Sequence, residues 1–181
     1  MLDQLQTHEF DQVYQILEDS FPEDERGTYK QEKSFLEEEA YTIHVYKEED
    51  QVLGFISSWE MHDFTYVDHF AIHEEAIGMG LGSKIIKEVD RTNDKPICLE
   101  VEYPETEIAA RRINFYKRNG LFLNDYNYVQ PPLSPGKNPC DFLIMTSQRK
   151  LTGEEFASMS KSIYKNVFGK ELEGGPDDLF S

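Results

Sequence analysis

The sequence predicts a mixed α/β fold, a central and mostly antiparallel sheet with one splayed parallel strand pair, flanked by helices and followed by a C-terminal helix. Three observations carry this. The apolar period is helical through the first forty residues and changes to two beyond Ala40. Phe64–Ile72 reads as a strand that runs into Gly78-Met79-Gly80-Leu81-Gly82. A helical pattern from Leu81 to Asp90 then separates that strand from Ile97–Glu102, which lets the two strands run parallel.

In chain order, Leu2–Leu5 reads as a short strand, with Thr7 as N-cap of a helix whose apolar face is Phe10, Val13, Ile16, Leu17 and Phe21. Pro22 ends it. The segment from Phe21 to Arg26 is a polar loop, and a second helix is expected from Tyr29 to Glu39, anchored by Phe35 and Leu36, its Glu and Lys residues forming a solvated face. Tyr41, Ile43 and Val45 alternate with polar residues, Lys47–Asp50 is a turn, and Val52–Glu60 completes a hairpin.

Downstream, Pro104 closes the strand at 97–102, and Thr106 caps a helix that stops at Gly120, a residue suited to the left-handed position after a helix. Strands follow at Leu121–Val129 and Asp141–Thr146, joined by a Pro- and Gly-rich loop. Thr152-Gly153-Glu154-Glu155 is a capping box for a last helix with Phe156, Met159, Ile163 and Val167 on one face. The pattern leaves open whether this helix packs on the sheet or forms a homodimer contact. A single domain is expected over residues 1–172, with a disordered tail at 173–181.

The charge balance excludes several functions. With 35 acidic against 18 basic side chains, a net charge of −17 opposes any sequence-independent grip on nucleic acid or an anionic membrane. A polyanionic partner has to be held locally, by backbone donors, whereas cationic partners are attracted. No stretch approaches the roughly 20 apolar residues that span a bilayer, and the N-terminus lacks the features of a signal peptide, so a cytoplasmic protein is expected. Cys98 and Cys140 are too few and too far apart for a disulfide framework or a metal set, and no metal site is expected.

The glycine run is an anion cradle. Glycines at 78, 80 and 82 permit positive φ and bare every second backbone N–H, and a helix start lies directly behind them. The spacing G-x-G-x-G excludes the G-x-G-x-x-G dinucleotide fingerprint, and Gly82-Ser83-Lys84 breaks the order of a Walker loop. The segment resembles the acyl-CoA loop of the GNAT superfamily of N-acetyltransferases, Arg/Gln-x-x-Gly-x-Gly/Ala after a strand end. Phe70-Ala71-Ile72 fits that strand end, and Gly80 and Gly82 fit the small positions, with Ile77 standing where the family has Arg or Gln. A second resemblance is Phe115-Tyr116-Lys117-Arg118-Asn119-Gly120-Leu121, similar to the family's Phe-Tyr-x-x-x-Gly-Phe; Ala109 stands where an Asn is common.

The resemblance implies direct transfer of an acetyl group from acetyl-CoA, as cosubstrate, to an amine. It implies that Phe70, Ala71, Ile72, Ile77, Gly78, Met79, Gly80, Leu81, Gly82, Ser83 and Lys84 hold the CoA, that the loop at 21–26 borders the acceptor, and that Tyr116 donates to the leaving thiolate. Family resemblance does not assign the base. Tyr66, Asp68 and His69 lie on the strand before the loop, Glu100 and Glu102 on the next; His69 has the apt intrinsic pKa. Strand alternation is expected to put Asp68 and His69 on opposite faces. His8, His44, His62 and His73 show no partner spacing. The other reading is a non-catalytic CoA-sensing or protein-interaction module, motivated by Ile77 and Ala109.

Overall fold

The computed structural model describes residues 1–172; the tail expected at 173–181 lies outside the described residues. The chain forms two compact units, Met1–Lys95 and the residues from Pro96 onward. Among the described residues no helix is long and apolar enough to cross a membrane.

The first unit holds β1 (Asp3–Gln4), α1 (Phe10–Ser20), α2 (Tyr29–Ser34), β2 (Tyr41–Glu48), β3 (Gln51–Glu60), β4 (Thr65–Ile72) and α3 (Leu81–Thr92). Its strands lie in the order β1-β2-β3-β4 and every neighbouring pair is antiparallel. The predicted apolar face of α1 is buried through Phe10, Val13, Ile16 and Leu17.

Three expectations are corrected here. Thr7 does not cap α1: Thr7–Glu9 form a 3₁₀ turn capped at Gln6, whose N–H the Glu9 carboxylate accepts at 2.8 Å, and Glu9 is the N-cap of α1. The second helix ends at Ser34 rather than Glu39, and a 3₁₀ turn, Phe35–Glu37, follows. The Ser34 hydroxyl donates to the Gln31 carbonyl at 2.6 Å, and the Phe35 ring is drawn onto Trp59, 5.2 Å between centroids. Nor is that helix solvated throughout, because Glu32 is only 4% exposed and accepts the Gly27 N–H at 2.7 Å. A Cβ at Gly27 would meet Glu32 Oε1 at 2.7 Å, so a side chain there would make the carboxylate shift.

The second unit holds β5 (Ile97–Glu102), α4 (Glu107–Arg118), β6 (Phe122–Gln130), β7 (Cys140–Thr146) and α5 (Gly153–Asn166), its strands in the antiparallel order β5-β7-β6. The predicted caps form. Thr106 Oγ1 accepts the Ala109 N–H at 3.1 Å, Gly120 takes φ of 90°, and Thr152 and Glu155 cap reciprocally. Helix α5 packs on β6: Phe156 is buried and stacks on Tyr126 at 4.8 Å, and the Tyr164 hydroxyl donates to the Val129 carbonyl.

Candidate functional site

Strand β4 delivers the chain to the glycine loop through Phe70, Ala71 and Ile72, which pair with Ile56, Phe55 and Gly54 of β3. Gly54 was not singled out by sequence; a Cβ there would lie 2.9 Å from Ile72 Cδ1 and 3.0 Å from Ile85 Cδ1, so its bareness lets the strand end and α3 close together. After β4, Glu74–Ala76 make a single 3₁₀ turn capped by His73, whose Nδ1 accepts the Glu75 N–H at 3.3 Å.

The loop itself is built on two left-handed glycines. Gly78 has φ of 83° and Gly80 has φ of 75°, the latter serving as N-cap of α3, so an L side chain at either is strained. Gly82 departs from the expectation of positive φ: it lies inside the first turn of α3. The first intrahelical bond runs from Lys84 N–H to the Gly80 carbonyl at 3.2 Å. The N–H groups of Gly80, Leu81, Gly82 and Ser83 therefore have no partner within the helix, and they sit at the positive end of its dipole. A Cβ at Gly78 or Gly80 would meet nothing within 4 Å, so open space lies over both. That is room for an anion against bare backbone.

Two apolar side chains flank this cradle in solvent, Ile77 at 68% exposure and Met79 at 71%. Lys84, one turn into α3, directs its ammonium to Tyr46, 4.6 Å from the ring centroid and 3.5 Å from the hydroxyl. Met79, Lys84 and Tyr46, with Leu53 and Leu81, line a cavity of about 150 Å³ beside the loop.

On β4 the structure overturns the expected alternation. Ser57 pairs with His69 but Ser58 pairs with Val67, so Asp68 is the extra residue of a β-bulge. A bulge breaks the period of two, and Asp68 is aimed toward its neighbour instead of away: its Oδ1 lies 3.6 Å from His69 Nδ1. Both side chains are nearly buried, Asp68 accepting the Trp59 indole N–H at 3.1 Å. His69 Nε2 lies 2.8 Å from the Glu25 carbonyl, and its ring packs edge-on against Phe21 at 4.8 Å. The loop at 21–26 is thus fastened to β4 by a histidine. Arg26 closes the loop on itself, its Nε donating to the Phe21 carbonyl at 3.1 Å. No sequence signal marks the bulge, because it is a property of the β3 pairing.

In the second unit, Tyr116 lies on α4 at 6% exposure, its ring edge-on to Phe115 at 5.2 Å. Burial pushes its hydroxyl up to about 12, and the Arg112 charge offsets only part of that. Glu102 of β5 pairs with Arg112 at 3.4 Å. The Cys98 thiol is buried and pushed well up by desolvation, with the Glu100 charge adding to it.

A strand, a left-handed glycine cap and a helix are the elements of the family suggested by the sequence. The family model for the acetyltransferase (GNAT) family matches residues 10–121. The chain belongs to the GNAT acetyltransferase family. It is an acyltransferase by that membership. YjbC of Bacillus subtilis (strain 168), an acetyltransferase by name, is 26% identical over 157 residues, which are 85% of this chain and 80% of YjbC. A GNAT-family structure from Bacteroides thetaiotaomicron superposes with a TM-score of 0.85 at 27% identity, covering 94% of this chain and 99% of that one. An aminoglycoside 6′-N-acetyltransferase complexed with coenzyme A shares the fold, with a TM-score of 0.58 at 12% identity over 81% of this chain and 96% of that one.

Proposed function

We propose that residues 1–172 are one acyltransferase domain that moves an acetyl group from acetyl-CoA to an amine. The observation that carries this reading is Gly80, left-handed at the N-cap of α3 with open space over it. In this reading the N–H groups of Gly80 to Ser83 hold the CoA pyrophosphate, where charge-assisted bonds to backbone succeed despite the chain's net charge of −17. Phe70, Ala71 and Ile72 present the backbone along which the pantetheine arm lies, Gly78 opens the approach, and the exposed Ile77 and Met79 give it apolar contact.

Acetyl-CoA supplies the activated acyl group, and the chain's residues manage the protons. An alkyl amine of pKa about 10.4 is neutral in only one molecule in a few thousand at pH 7, a handicap of about 4.6 kcal/mol. We assign its deprotonation to His69, reached through water, because the Asp68 carboxylate at 3.6 Å stabilises the imidazolium that results. Backbone N–H groups at the end of β4 are assigned to the oxyanion that develops as the amine attacks. Tyr116 is assigned to the departing thiolate. With its hydroxyl pushed up to about 12 against a thiol of about 8.5, Tyr116 keeps its proton and serves as a hydrogen-bond donor.

The acceptor in this reading is cationic in solution and approaches over Glu23, Asp24 and Glu25, which form a 3₁₀ turn beside the His69 anchor. A cytoplasmic setting accords with two cysteines that are both free thiols. The test is a panel of amines with released CoA detected: turnover of at least one amine is expected, with a KM that rises with salt. A second reading, a CoA-sensing module, draws on the apolar Ile77 in the place of Arg or Gln; acetyl-CoA binding without turnover of any amine would favour it.

A further inference from the structure

Between the C-terminal half of α3 and the face made by β2, β3 and β4 lies a cavity of about 310 Å³. A sheet face covered by a helix is ordinarily apolar. This one is not. Thr42 and Ser58 stand directly opposite each other on β2 and β3, and His44 follows two residues along β2 on the same face. Thr65 of β4 also lines the space, and two carboxylates bound it, Glu60 of β3 and Glu88 of α3. Glu88 Oε1 accepts the Leu2 N–H at 3.1 Å, which holds the N-terminal segment across the opening.

The lining selects the charge of an occupant. It contains carboxylates, hydroxyls, an imidazole and an amide, and neither lysine nor arginine. Burial lowers the His44 pKa, so the ring is neutral at pH 7 and adds an acceptor rather than a positive charge. Lys95, outside the lining, is paired with Glu60. Lys95 already neutralises the half-exposed Glu60, which leaves Glu88, hydrogen-bonded to the Leu2 N–H, as the charge that favours a cation with N–H donors over an anion. The volume is at the lower limit of ligand sites, roughly 300 Å³, and at about 30 Å³ per water it displaces about ten waters.

We infer that this cavity is a second binding site, for a small amine cation of about ten heavy atoms or fewer. Its lining on α3 begins at Glu88, eight residues on from Gly80, which at about 1.5 Å each puts the two about 12 Å apart along the helix. The site is independent of the acetyl-transfer reading.

The probe is 1,4-diaminobutane added to the full chain, followed by NMR at the His44 ring and the Thr42 and Ser58 amides and by calorimetry. Saturable shifts at these residues are expected. Ser58→Leu fills the space and abolishes them. Glu88→Gln keeps an acceptor for the Leu2 N–H but removes the charge, and weakens binding at least tenfold. Acetyl-CoA affinity stays unchanged in both variants, so loss here is separable from loss at the glycine loop. Absence of shifts at these residues, undiminished affinity in Glu88→Gln, or an equal response to neutral glycerol overturns the inference. If Ser58→Leu does not fold, Glu88→Gln alone decides.

Discussion

His69 Nε2 lies 2.8 Å from the main-chain oxygen of Glu25, and since a carbonyl only accepts, the proton of that bond is on Nε2. A charged or a neutral ring can donate in this way, so the fastening does not depend on whether Nδ1, beside Asp68, carries a proton. His69→Leu removes the donor and is expected to lower stability by about 1 kcal/mol in urea unfolding. His69→Gln, which retains an N–H at similar reach, should recover part of that loss without recovering the pH dependence of kcat. Equal kcat–pH profiles for wild type and His69→Gln would remove the base assignment and leave the fastening.

Gly80→Val is expected to lose folding stability of about 1–2 kcal/mol from the left-handed backbone alone, because open space over the position means no clash adds to it. Acetyl-CoA affinity should fall far more than stability, by more than tenfold. Calorimetry on the folded variant measures it, and unchanged affinity would sink the cradle.

Tyr116→Phe keeps the ring against its neighbours and deletes one donor. A fall in kcat of about 10² or more is expected, with acetyl-CoA affinity nearly constant, because the bond gains most as charge develops on sulfur. Wild-type kcat in a variant whose chemical step is shown to be rate-limiting returns Tyr116 to a packing role.

The same residue sets an alkaline signature. Its folded pKa, raised to about 12, lies above the unfolded value of about 10, so the unfolded chain releases the proton first. Stability is untouched below pH 10 and is lost as pH rises from there toward 12, by roughly 1.4 kcal/mol per pH unit for one group. Tyr116→Phe should show a shallower decline over that window in denaturant titrations at stepped pH; an identical slope would contradict the burial of its hydroxyl.

Much of the fold was legible because it rests on local signals. The change of period at Ala40, the caps Thr106 and Thr152 and the stop at Gly120 each act within four residues, and each appears where expected. Left-handed Gly78 and Gly80 were legible for the same reason. What was not legible depends on partners distant in sequence. Glu32 looks like a surface acid until Gly27 turns back onto it, and Asp68 looks opposed to His69 until the pairing with β3 slips by one residue. His44 offered no spacing to any partner, since its neighbours come from another strand and from α3.

The extra residue in β4 is the one position of that strand that can be lost without changing which residues of β3 and β4 face each other. Whatever side chain stands at 68, two steps of β4 still answer one step of β3 between the pairs at Ser57 and Ser58. Deleting Asp68 would even out the ladder and leave Val67, Tyr66 and Thr65 opposite Ser58, Trp59 and Glu60 as they are, because the bulged residue has no partner of its own on β3. Loss of that one codon would spare every cross-strand pair and remove only the carboxylate that His69 and the Trp59 indole share.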